Sequence, residues 1–139
     1  MSYYKIFPST RLKGKLKGIE SLELSYATYL LSIVWPKNEY CLLSTLQLRF
    51  DNASNWIVVD SKVGSHLGEI TIKLGTFSPE EQLQLFWIIN APLTKISALA
   101  IYLVNLDTKQ MIKVKPEDGV KTIDKGKEWM DERKDIQLF

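Results

Sequence analysis

At 139 residues, 45% apolar and 24% charged, the chain has the size and composition of one folded domain and lacks the polar bias of a disordered segment. Its formal net charge of +2 hides an asymmetry: residues 1–18 carry Lys5, Arg11, Lys13, Lys15 and Lys17 with no acid, while the rest holds 13 basic and 16 acidic residues. A single cysteine, Cys41, excludes an internal disulfide and suits a reducing compartment. With no signal-like N-terminus and no apolar run near 18 residues, the expected location is the cytosol, the host's if the protein is viral, with no integral membrane segment.

The basic cluster is patterned. In an extended chain Arg11, Lys13, Lys15 and Lys17 share one face, with Leu12, Gly14, Leu16 and Gly18 on the other. Residues 1–18 therefore read as a basic N-terminal strand or arm. Such a stripe suits an anionic partner, either nucleic acid backbone or anionic lipid, and it also serves as the solvated edge of a sheet.

Residues 21–35 read as a strand with Leu22, Leu24, Tyr26, Thr28 and Leu30 on one face. A turn at Pro36, Lys37 and Asn38 leads to a second strand over 40–50, expected to form a hairpin with the first. Its alternation puts Tyr40, Leu42, Ser44, Leu46, Leu48 and Phe50 together, opposite Cys41, Leu43, Thr45, Gln47 and Arg49.

A polar loop over 51–55 precedes a short β-rich run, 56–59, and residues 61–68 read as loop. Asn52, Ala53 and Ser54 form a glycosylation sequon, which reads as a turn without a secretory signal. Ile70, Ile72 and Leu74 alternate with Glu69, Thr71 and Lys73, the pattern of a half-exposed strand. Ser78, Pro79, Glu80 and Glu81 have the chemistry of a helix start, but the apolar run that follows favours a strand, after one helical turn at most.

Residues 96–106 are apolar on both faces, which predicts a central or interfacial strand, and residues 111–115 return as its hairpin partner. The charged segment 120–139 reads either as a short helix over 124–134 capped by Asp124, docked through Trp129 and Met130, or as a mobile tail. Seven to nine strands with at most one or two short helices predict an all-β, mainly antiparallel fold, a β-sandwich or partly open barrel forming one domain over 1–139.

The chemistry-bearing residues are few. One histidine and one cysteine cannot build a structural zinc site, so no metal is expected, and no glycine loop has the spacing of a phosphate cradle, so no cofactor is expected either. His66, flanked by Gly64 and Gly68, reads as a solvated loop residue rather than a catalytic base. Trp87, between Phe86 and Ile88, reads as core; Trp56, beside the polar loop, is the candidate aromatic ligand contact. Leu138 and Phe139 are candidate assembly contacts at the C-terminal end.

Together these features predict a non-enzymatic binding or assembly protein, with Arg11, Lys13, Lys15 and Lys17 against an anionic surface and a homo-oligomer supplying multivalency. A carbohydrate- or peptide-binding module is the alternative. A small enzyme without a recognisable motif is third.

Overall fold

Ten strands divide between two antiparallel sheets that face each other across an apolar core, in a computed structural model that describes residues 26–51, 55–59 and 62–139, with backbone alone at 62–65. The strands are β1 (Ala27–Val34), β2 (Cys41–Phe50), β3 (Ile57–Val58), β4 (Lys62–Ser65), β5 (Glu69–Phe77), β6 (Gln82–Asn90), β7 (Ile96–Asn105), β8 (Met111–Lys115), β9 (Lys121–Ile123) and β10 (Glu128–Gln137). The first sheet runs β5-β1-β7-β8, with β9 also on β7; the second runs β10-β6-β2-β3, with β4 also on β2. The all-β sandwich expected from the sequence is the fold observed. Among the described residues there is no helix, and so none long and apolar enough to cross a membrane.

β7 is the central strand its two apolar faces predict, pairing with β1 on one side and with β8 and β9 on the other. β8 is its hairpin partner. The turn between them is organised by buried Asn105, whose Oδ1 accepts from the backbone N–H groups of Asp107 and Thr108. The opposite central strand, β6, sends Leu83, Leu85, Trp87 and Ile89 into the core, each fully buried. Side chains of this size each contribute about 1.5–3 kcal/mol on burial. Trp87 meets the Trp129 ring edge-on at 5.4 Å. Ile70 and Ile72 of β5 are likewise buried, as alternation predicts.

Several local expectations change. β1 and β2 are not a hairpin: they lie in different sheets, and the 35–40 turn arches across the core. The core face of β1 is Ala27, Tyr29, Leu31 and Ile33, so Tyr26, Thr28 and Leu30 lie on the other face. In β2 a bulge between Leu43 and Thr45 shifts the parity, burying Cys41 and Leu43 before it and Leu46 and Leu48 after it. One extra residue turns every later side chain to the opposite face. Part of the stretch read as loop over 61–68 is strand β4.

Ser78 and Glu81 make the reciprocal contacts of a helix start without the helix. Ser78 Oγ accepts from the Glu80 N–H at 3.2 Å and the Glu81 carboxylate accepts from the Ser78 N–H at 3.3 Å, but β6 begins at once.

The largest correction is the charged C-terminal segment. Neither a helix nor a tail, it forms β9 and the ten-residue edge strand β10, which pairs with β6 from Glu128 opposite Asn90 to Gln137 opposite Gln82. Strand geometry sends neighbours to opposite sides, so Trp129 is buried while Met130 is 55% exposed.

Candidate functional site

Because β6 packs its odd-numbered residues inward, its even-numbered residues form the outer surface of the second sheet. An antiparallel sheet facing water normally carries polar residues there. Here Phe86 and Ile88 are half-buried on that side, with exposed Met130 of β10 beside Ile88 and Val58 of β3, 71% exposed, next to Gln47 in the same row as Phe86. Apolar side chains thus stand on the outer sides of β10, β6 and β3, while β2, which lies between β6 and β3, presents Thr45 and Gln47 there. Glu132 flanks Phe86 from β10.

Trp56 lies at the β3 side of this surface. β3 pairs antiparallel with β2, and the half-buried Trp56 ring beside it lies 4.4 Å from the Arg49 guanidinium carbon and 6.3 Å from the Phe86 ring. Arg49 Nε in turn donates to Gln84 Oε1 at 2.6 Å, and buried Gln84 donates through Nε2 to the Lys134 carbonyl at 3.1 Å. A continuous polar and aromatic chain therefore runs across β3, β2, β6 and β10. A cation held over an indole face is a fixed, planar element. Trp56 was legible as a surface aromatic in the sequence; Arg49 and Phe86 were not, though the short loop before Trp56 is the signal that places it across from Arg49.

Along one side of the sandwich, β8 and β10 border an open groove of about 450 Å³ lined by Lys113, Lys115, Glu117, Glu132, Arg133 and Lys134, among others. Most of its charges have a partner within the chain. Lys115 pairs with Asp131 at 3.2 Å, Lys134 with Glu132 at 3.4 Å, and Arg133 Nε with Asp135 at 3.1 Å, while Lys113 Nζ donates to the Gly119 carbonyl. Arg133 Nη1 reaches the carbonyls of Lys113 and Val114 in the facing sheet. This groove is a clasp between two edges. Such charges and the bulge between Arg133 and Ile136 also guard the β10 edge against pairing with another chain.

The remaining candidates fall as follows. Arg11, Lys13, Lys15 and Lys17 lie outside the described residues, as does the Asn52 sequon. Leu138 and Phe139 are used within the chain: Leu138 is buried, and Phe139 packs edge-on against Tyr29 at 5.8 Å, its main-chain oxygen accepting from Tyr29 Oη at 2.6 Å and Asn105 Nδ2 at 2.7 Å. His66 is exposed and lies edge-on to Tyr40 at 4.7 Å. Cys41 is fully buried, and that burial pushes its thiol up to about 12, which keeps it protonated and unreactive at neutral pH. Among the described residues no group of three or more His, Cys, Asp or Glu converges. In comparisons with known proteins, the chain matches no family model, no curated protein and no solved structure.

Proposed function

We propose that this chain is a non-enzymatic binding and assembly protein, in which the outer face of the second sheet makes protein contacts and the basic segment Arg11, Lys13, Lys15 and Lys17 attracts an anionic partner. The observation that carries the reading is the cluster of apolar side chains on the solvent side of that sheet, Met130 beside Ile88 with Phe86 next along β6, and Val58 beyond Gln47, where water-facing strands normally alternate to polar residues. Oligomers would multiply the weak attraction of four basic side chains for phosphate groups.

Two measurements test it. Light scattering of the full chain across a concentration series should show oligomers that Met130→Glu dissociates; a strict monomer at high concentration refutes assembly. Binding to heparin, single-stranded nucleic acid and anionic liposomes should fall steeply with salt and be lost in a triple Lys13→Glu, Lys15→Glu, Lys17→Glu variant. Binding unchanged in that variant removes the basic segment from the function.

A carbohydrate- or peptide-binding module is the second reading, supported by Trp56 stacked with Arg49 beside Phe86. It predicts ligand binding that is insensitive to salt and abolished by Trp56→Ala.

A further inference from the structure

β5 is an edge of the first sheet, and among the described residues its only ladder partner is β1. One bond fixes which of its backbone groups face outward. Trp35 N donates to Gly68 O at 3.0 Å, and these two residues extend the register that sets Val34 opposite Glu69. Bonded and unbonded pairs alternate along an antiparallel ladder. Gly68, Ile70 and Ile72 therefore turn their N–H and C=O groups towards β1, while Glu69, Thr71 and Lys73 turn theirs to the open side. The regular stretch ends there, because the bulge opposite Tyr29 and Leu30 leaves Leu74 without a partner.

The side chains of Glu69, Thr71 and Lys73 are exposed on the outer face, while Ile70 and Ile72 are buried in the core. Their order is complementary to itself. When two β5 strands run antiparallel about Thr71, Glu69 of each copy lies opposite Lys73 of the other, and Ile70 opposite Ile72. Each of the outward-facing residues then meets another whose N–H and C=O are also open, so the pairs can exchange both bonds. Registers centred on Glu69 or on Lys73 bring like charges together instead. A lysine on an edge ordinarily discourages pairing; in the Thr71-centred register it meets a carboxylate.

The charges are free for that contact. Their neighbours on β1, Val34, Ser32 and Leu30, are uncharged, and among the described residues neither Glu69 nor Lys73 forms an ion pair. Glu69 accepts from the Thr71 hydroxyl of its own strand at 3.2 Å. Other edges are protected: β10 by its charges and bulge, and β8 by Arg133 on the carbonyls of Lys113 and Val114.

We propose that β5 pairs with β5 of a second copy of this chain about a two-fold axis at Thr71, joining the two first sheets into one. Backbone bonds supply the attachment and the Glu69–Lys73 contacts set the register. This deepens the assembly reading above, on a surface separate from the Met130 face of the other sheet.

Sedimentation velocity of the full chain over a concentration series tests it, with a monomer–dimer equilibrium expected. Glu69→Lys and Lys73→Glu should each weaken the dimer about ten-fold or more, because like charges then oppose at both ends. An equimolar mixture of the two variants should restore it, since each supplies the charge the other lacks, and a chain carrying both reversals should dimerise by itself. Melting temperatures should hold, as both side chains are exposed. Amide exchange at Glu69, Thr71 and Lys73 should slow as concentration rises, whereas Ile70 and Ile72 are protected throughout. A strict monomer at high concentration, a dimer indifferent to either reversal, or a mixture that fails to restore it overturns the inference. So does protection of the three amides that is independent of concentration, which would mean that the chain's own residues cover the edge. Met130→Glu should take larger oligomers down to this dimer. Loss of all association in Met130→Glu, with none lost in the reversals, would retain the outer-face assembly and remove the β5 contact; the opposite pattern would retain the β5 contact alone.

Discussion

Arg133 donates through Nη1 to the carbonyl of Val114 at 3.1 Å, so a side chain from the edge strand of one sheet terminates the edge strand of the other. The same nitrogen reaches the Lys113 carbonyl at 3.2 Å, and Nε pairs with Asp135. Only a planar guanidinium can serve both directions at once. Arg133→Ala should cost about 1–2 kcal/mol in urea unfolding, with more aggregation because the β8 carbonyls are uncovered. Arg133→Lys should recover less than half of that loss.

Gly68 adopts φ +86°, and a Cβ there would lie 2.8 Å from the Trp35 carbonyl oxygen, which is backbone and cannot turn aside. Gly119 also has positive φ, at +67°, but a Cβ on it would meet nothing within 4 Å. Gly68→Ala should therefore destabilise by about 2–3 kcal/mol and Gly119→Ala by about 1 kcal/mol. Chemical denaturation of the two variants checks the order.

Glu39 accepts from Ser97 N and Oγ together, while its own carbonyl accepts from Trp35 Nε1 at 2.7 Å. Replacing the carboxylate by Glu39→Ala leaves a strand N–H without that acceptor and should cost about 1–2 kcal/mol. Ser97→Ala removes only the hydroxyl contact and should cost less. Faster amide exchange at Ser97 should appear in the first variant and not in the second.

Cys41 is raised by burial from 9.0 to about 12. An unfolded chain thus loses the thiol proton before the folded one does, so the contribution is intact below pH 9 and is lost as pH rises towards 12. Within that window the group lowers stability by at most about 1.4 kcal/mol per pH unit. Cys41→Ala should be less stable at neutral pH through lost packing, yet show a shallower alkaline decline in urea midpoint. Native-state reaction with a thiol reagent at pH 8 should be slow and should accelerate in denaturant.

Fold class was legible because it rests on local signals. Alternation in β5 and the two-sided apolar run in β7 both report short-range geometry, and each appears where expected. The candidate surface was legible only in fragments. Trp56 could be picked as an accessible aromatic, but its relation to Arg49, Gln84 and Lys134 depends on three neighbouring strands meeting in register.

The sequence by itself determined the β class, the breaks between most strands and the supply of apolar side chains for two inner faces, since propensity and period act within a few residues. Tertiary structure decided which face of β1 is core, which sheet β2 joins, and that the charged segment 128–137 is a strand. Those choices follow from pairing across long separations, such as Ala27 with Phe77 and Glu128 with Asn90. The β10 stretch shows why: its charges suit a solvated helix as well as a sheet edge, and the open hydrogen-bonding edge of β6 selects between them.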